Sequence, residues 1–307
     1  MALDAAALRL RIGLREGLVV ATHGRHALVE TAGVRGLCHP RGKKLDVVVG
    51  DAVMWADAGD EGVIEATVPR RNLLFRQDDF RTKSFAANID QLLMLVAGEP
   101  VFSESQLARA LIAAEQAGIG TLIGLNKTDL PATELARKRL QPYGAMGVGV
   151  IELSLKKQPE ASRATLMQHL AAKRTLVLGP SGTGKSTLIN LLLPQAAAVV
   201  GEISHALKAG RHTTTHTSWY WLDAEHSAAV IDSPGFQEFG LQHIDAQELA
   251  QWMPDLRAHL GHCRFYNCSH RHEPGCGVLA AAAGGQISEA RLRVYGQILE
   301  ELESARR

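Results

Sequence analysis

The 307-residue sequence predicts a multidomain protein: an N-terminal β-barrel, a central α/β module and a C-terminal, mainly α module. Three observations predict it. Short β-like runs separated by glycine-rich turns occupy the first 70 or so residues, and strands and helices then alternate around a complete phosphate-loop motif. Three of the four cysteines cluster near the C-terminus. The expected boundaries are 1–72, 73–245 and 246–307.

In the first module the β-like runs are 18–22, 47–49, 53–55 and 63–68, with a turn at Gly59-Asp60-Glu61-Gly62. Cys38 reads as a lone small core residue. Basic residues recur at Arg25, His26, Arg35, Arg41, Lys43 and Lys44, and continue through Arg70, Arg71, Arg76, Arg81 and Lys83. Two readings stand side by side: contacts to RNA phosphates, or a solvated charged face followed by a basic linker. The whole-chain balance of 33 Lys and Arg against 32 Asp and Glu excludes a global polycation, so any polyanion must meet a local patch. Asp4, Arg9, Arg11 and Arg15 interrupt the first apolar stretch, and no run approaches the roughly 20 apolar residues that span a bilayer. A cytoplasmic protein with no membrane segment is expected.

From about residue 88 the expected order is strand 91–97, helix 104–117, strand 121–125, strand 148–153, helix 160–172, strand 175–178, helix 185–193 and strand 228–231. Such alternation predicts a parallel sheet covered by helices on both faces. Beyond 245 a final helix from Ser288 places Leu292, Tyr295, Leu299 and Leu302 on one side, a core stripe, while the small-residue run 279–285 reads as a loop.

Gly179, Pro180, Ser181, Gly182, Thr183, Gly184, Lys185 and Ser186 complete G-x-x-x-x-G-K-[ST] between a strand and a helix, with Thr187 following. Glycines let backbone N–H groups curl around phosphate oxygens, Lys185 reaches the β and γ phosphates, and the Ser186 hydroxyl binds Mg²⁺. Asn126-Lys127-Thr128-Asp129 closes an apolar strand and matches N-K-x-D, whose aspartate accepts the two donors that guanine has and adenine lacks. As a bland alternative, this tetrapeptide is a polar turn capping the next helix. Leu153-Ser154-Leu155-Lys156 follows another apolar strand and resembles S-A-K, the motif that backs the base. Asp232-Ser-Pro-Gly235 resembles D-x-P-G, with Asp232 toward Mg²⁺ and the Gly235 N–H toward the γ-phosphate, and Thr214 is the first choice for the switch I hydroxyl. The base motifs precede the phosphate loop, so this is a circularly permuted P-loop GTPase in motif order. Phe236 stands where Ras-like proteins carry the glutamine that orients water; His212 is a candidate for that task, or a solvent-facing loop histidine.

Cys263-x₄-Cys268-x-His270-x₅-Cys276 offers three thiolates and one imidazole, the donor set of a closed tetrahedral structural Zn²⁺ site, with His262 and His272 as competing ligands.

Permuted motifs, the Thr-Thr-Thr switch, Asp-Ser-Pro-Gly-Phe and this cysteine spacing together resemble the RsgA (YjeQ) family of small-subunit ribosome biogenesis GTPases, over nearly the whole chain. The resemblance implies an OB-fold barrel that contacts rRNA, a zinc-binding helical domain, and a monomer that hydrolyses GTP during late maturation of the small ribosomal subunit, stimulated by that subunit. The competing expectation is a nucleotide-gated binding module or scaffold with incidental hydrolysis; an ATP-dependent kinase is more distant.

Overall fold

The structure, a computed structural model, describes residues 13–42, 45–78, 82–194, 217–235 and 239–305. Strands β1 (Arg15–His23), β2 (His26–Thr31), β3 (Val34–Pro40), β4 (Ala52–Asp57) and β5 (Gly62–Thr67) close a five-stranded barrel. β1 pairs with β2 and β4, β2 with β3, β4 with β5, and β3 runs parallel to β5. Alternating side chains from these strands fill the interior: Val19, Val29, Cys38, Val53, Trp55 and Ile64. Cys38 is fully buried there, and burial pushes its thiol up to about 11. β2 and β3 escape sequence reading because His26, Glu30 and Arg35 break the apolar pattern.

The run 47–49, expected as a strand, forms no ladder. It is nonetheless well covered, because Asp51 accepts from the Val48 N–H at 2.8 Å and Gly50, at φ +92°, turns the chain beneath Trp219. The expected basic linker is also different: β6 (Leu73–Gln77) and β7 (Thr82–Ala87) form an antiparallel hairpin. Its approach is pinned by Arg70, which forks onto Asp51 at 2.7 and 2.9 Å, and by Arg71 on Asp90 at 2.5 Å. Arg35 and Arg41 are likewise paired, with Glu30 and Glu65. Several arginines of the basic series therefore hold the barrel together as well as face outward.

The central sheet runs β10-β9-β8-β11-β13-β12, and its outer strand continues into β1 of the barrel. β8 (Gln91–Ala97), β9 (Gly120–Asn126), β10 (Gly149–Glu152), β11 (Arg174–Leu178) and β13 (Ala229–Asp232) are parallel; β12 (Ser218–Trp221) is antiparallel to β13. β8 is buried at every position, as a central parallel strand covered on both faces must be. Helices α1 (Glu104–Gln116), α2 (Thr133–Ala145), α3 (Pro159–Leu170) and α4 (Lys185–Leu192) supply the cover. Ser103 caps α1 by accepting from the Gln106 N–H at 3.3 Å.

Downstream, α5 (Pro254–Arg257), α6 (Gly277–Ala283) and α7 (Glu289–Ser304) form the C-terminal part. The expected loop at 279–285 is mostly α6: an alanine run has the highest helix propensity, and Cys276 caps it through its sulfur. α7 buries Tyr295, Leu299 and Leu302 as the stripe predicts, but Leu292 is only partly covered. Arg291 is buried instead, forked onto Asp255 at 2.8 and 2.9 Å over the Tyr143 ring.

Gly50 ties barrel to hairpin, and a Cβ there would lie 2.1 Å from the Ala87 carbonyl oxygen. Gly50→Ala is expected to lower the unfolding free energy by about 2 kcal/mol or more in a urea titration.

Candidate nucleotide site and metal centre

Each phosphate-loop residue sits where β11 turns into α4. Gly179 (φ +157°) passes against the Leu95 carbonyl, which a Cβ would approach to 2.3 Å. Gly184 adopts φ +109° and leads into the helix N-terminus at Lys185, so backbone N–H groups and the helix dipole face one concavity. A Cβ on Gly184 would lie 2.4 Å from the Asn126 side-chain nitrogen, so both its conformation and its neighbour demand glycine. Thr183 is turned inward, its hydroxyl donating to the Pro180 carbonyl at 2.9 Å.

Asn126, the last residue of β9, is buried and reaches two loops. Its amide donates to the Thr183 carbonyl at 2.8 Å and accepts from the Leu155 N–H at 3.2 Å. Lys127 follows at φ +64° and donates to the Glu99 carbonyl at 2.7 Å; Thr128 donates to the Leu153 carbonyl at 3.2 Å. Ser154 donates to Asp129 Oδ1 at 2.7 Å. That hydroxyl, with the charges of Lys157 and Lys127, holds the Asp129 carboxyl below the usual carboxylate range.

Asp232 ends β13 in register with Val177 of β11, which brings it level with the start of the phosphate loop. Lys185 donates to the carbonyls of Gly179 and Pro180 at 2.7 and 3.0 Å. Burial lowers its pKa, and Asp232 partly offsets that. Gly235 leaves space beside the ammonium, since a Cβ would lie 3.1 Å from Lys185 Nζ.

These pieces line one cavity of about 730 Å³: Asn126, Lys127, Asp129, Ser181, Gly182, Gly184, Lys185, Ser186, Thr187, Asp232 and Gly235 all face it. Pro180, Thr183, Ser154, Leu155 and Thr128 back it rather than line it, through the contacts just described. Lys156, the last residue of the base-backing segment, also lines the cavity, as do Lys157 and Ser233, to which the sequence pattern gives no role; the Lys-Lys pair after Ser154-Leu155 is the available signal for Lys157. His212, Thr214 and Phe236 lie outside the described residues.

Near the C-terminus, the ligand atoms of Cys263, Cys268, His270 and Cys276 lie within 4.8 Å of one another. His270 Nδ1 is 3.5 Å from the Cys263 sulfur and 3.4 Å from that of Cys276, and those sulfurs are 4.0 Å apart. Tetrahedral Zn–S and Zn–N bonds imply S···S near ~3.8 Å and S···N near ~3.5 Å, so the donor set fits such an ion. His262 and His272 are not in the group. Burial, together with the neighbouring Cys276 and Cys263 sulfurs, pushes the Cys268 thiol up to about 12, an unfavourable crowding that a bound cation reverses. Around it, Glu273 accepts from the Ser269 N–H and hydroxyl and from the Arg271 N–H.

Residues 67–242 match the model of the RsgA GTPase family. The chain belongs to that family. It is 59% identical to the small ribosomal subunit biogenesis GTPase RsgA of Variovorax paradoxus, covering 95% of this chain and 94% of that one. The protein of the same name in Bordetella pertussis is 52% identical, over 95% and 97% of the two chains. Among solved structures, YjeQ from Thermotoga maritima superposes with a TM-score of 0.72 at 29% identity, covering 94% of this chain and 98% of that one. YloQ, described as a circularly permuted GTPase, gives 0.70 at 25%, covering 99% and 98%. The chain is thus a GTP hydrolase with its base-motif strand, β9, ahead of its phosphate-loop strand, β11. No helix among the described residues is long and apolar enough to cross a membrane.

A carboxyl whose folded-state pKa is depressed keeps its charge as pH falls, until that lowered value is reached. Ser154→Ala removes the largest cause of the Asp129 depression. Fluorescent GDP binding is therefore expected to fail at a higher pH in Ser154→Ala than in wild type, with equal affinity at neutral pH after correction for lost packing. Asn126→Ala, which unties two loops at once, should weaken GDP binding by about tenfold or more.

Proposed function

We propose that the chain binds the small ribosomal subunit and hydrolyses GTP during its late maturation, with hydrolysis stimulated by the subunit. One observation carries the nucleotide half of the reading: segments 126–129, 179–187 and 232–235, separated in sequence, converge on one cavity. The small-subunit half is supported by relatives of that name, similar over nearly their whole length.

In this reading Asp129 accepts from the guanine ring, with Asn126, Lys127, Thr128, Ser154 and Leu155 shaping the base pocket. Gly179, Pro180, Ser181, Gly182, Thr183, Gly184, Lys185, Ser186 and Thr187 cradle the phosphates, and Lys185 neutralises charge that grows on the β–γ bridge. Mg²⁺ would be held by Ser186 and Asp232 with Thr214, where it neutralises phosphate charge. The Gly235 N–H faces the γ-phosphate, and His212 is assigned the orientation of water. Zn²⁺ would be held by Cys263, Cys268, His270 and Cys276; four protein donors leave no open position, so the role is structural.

The chain divides at about 72 and 245 into an OB-fold barrel that contacts rRNA, the GTPase domain and the zinc-binding helical domain. It works as a cytoplasmic monomer. The OB reading is supported by the closed five-stranded pairing with β3 parallel to β5, a barrel type that binds nucleic acid.

Turnover of GTP measured alone, with purified small subunits and with large subunits should rise with small subunits only; equal rates in all three would remove the ribosomal reading and leave the GTPase. Asp129→Asn should abolish the preference for GTP over ATP in competition. Metal analysis should find one zinc per chain, falling below about half in Cys268→Ser, with a Tm lower by several degrees.

A further inference from the structure

β12 is the edge strand of the central sheet, and the structure joins it to the barrel at both ends. Ser218 is paired with Asp232 across the β12–β13 ladder, and the same Ser218 is paired with Ala21 of β1. At the other end Trp221 is paired with Ala229, while its indole N–H donates to Glu30 Oε1 of β2 at 2.7 Å. Glu30 is buried, and its second oxygen accepts from Arg35 Nε at 2.8 Å. The Trp221 ring lies flat on His226, with centroids 4.5 Å apart and planes 3° from parallel; His226 Nδ1 stands 3.9 Å from Glu30 Oε1. Between the strands the turn is locked, because Asp223 accepts from the Ser227 N–H at 2.8 Å, the Ser227 hydroxyl at 2.9 Å and the Ala228 N–H at 2.8 Å.

A buried carboxylate tolerates little displacement of its donors, because a lost partner leaves uncompensated charge in a medium of low polarisability. Trp221 is therefore held where Glu30 needs it. Asp232 is the last residue of β13, and its position follows the two neighbouring strands: β11, internal to the GTPase, and β12, whose outer support is the barrel.

We propose that Glu30 is a positioning residue for the Mg²⁺ side of the nucleotide site: by holding Trp221 it fixes the edge strand against which Asp232 is registered. Barrel and carboxylate then move as one unit, which gives whatever the barrel grips a direct mechanical route to the nucleotide. The inference rests on the reading of Asp232 as the Mg²⁺-side carboxylate.

The test uses the full chain and the rate at which fluorescent GDP dissociates as free Mg²⁺ is raised. Glu30→Ala and Trp221→Phe, which loses the N–H but keeps the ring on His226, should each raise the Mg²⁺ concentration of half-effect by roughly three- to tenfold. Dissociation in EDTA should stay within about twofold of wild type, and the double variant should be no worse than the stronger single one. Glu30→Gln, which keeps one acceptor for Trp221 but sets an amide N–H against Arg35 Nε, should shift the requirement less than Glu30→Ala does. Asp232→Asn is the reference: if it leaves the Mg²⁺ requirement unchanged, the reading of Asp232 fails and the proposal with it. If Asp232→Asn raises the requirement while Glu30→Ala and Trp221→Phe do not, even with a lowered Tm, Glu30 is a structural pair only and the proposal alone is overturned.

Discussion

A carboxamide has one donating and one accepting end, and Asn126 uses each on a different loop. Its nitrogen holds the phosphate loop at Thr183 and its oxygen holds the base-side loop at Leu155. Buried at the end of β9, it has no water to exchange for either partner, so loosening one bond exposes an unpaired group at a cost of about 1–3 kcal/mol. Much of the site geometry depends on this: Gly184 must lack a Cβ because the amide occupies that space, and Ser154 is brought to Asp129 by the loop that Asn126 retains. Asn126 is thus the tie between the loop at 153–155 and the loop at 179–186.

Permutation of the chain alters where the site's mechanical supports lie. With β9 ahead of β11, the strands that carry the phosphate loop and Asp232 come late, and β12 abuts the barrel rather than solvent. The β6–β7 hairpin reinforces this arrangement, since Gln77 bonds to both Gly240 and Gln242 just beyond the D-x-P-G segment, while Phe85 stacks on Phe239. Barrel, hairpin and GTPase core are joined through main-chain ladders and buried rings, which transmit displacement better than flexible linkers do. The C-terminal part is fastened separately, by Arg109 to Glu301 and by the shared burial of Arg291 with Asp255 and Tyr143.

Family membership, the alternating central strands and the cysteine cluster were legible because each is written in neighbouring residues. Consecutive N–H groups that could meet a phosphate must lie on a contiguous loop, and the run from Gly179 to Ser186 is contiguous in sequence and folds as one turn into α4. The Cys₃His donors here lie on short loops, and the spacing from Cys263 to Cys276 places all four within reach. β8 and β11 were equally plain, because each carries an unbroken run of buried apolar residues, 92–97 and 176–178.

What only the tertiary structure decided are pairings between residues far apart in sequence. Strands β2, β3, β6, β7 and β12 carry charged or mixed sequences, with Arg35, Arg76, Lys83 and Trp221 among them, so no apolar pattern marks them locally; Trp221 finds its partner Glu30 at a separation of 191 residues. Arg70 on Asp51, Arg291 on Asp255 and Trp221 on Glu30 are the same case. Sequence alone determined which ligand chemistry the chain offers, because that chemistry resides in contiguous motifs. The folded structure determined how those motifs are held and coupled, because ion pairs, edge-strand ladders and buried amides exist only once distant segments meet.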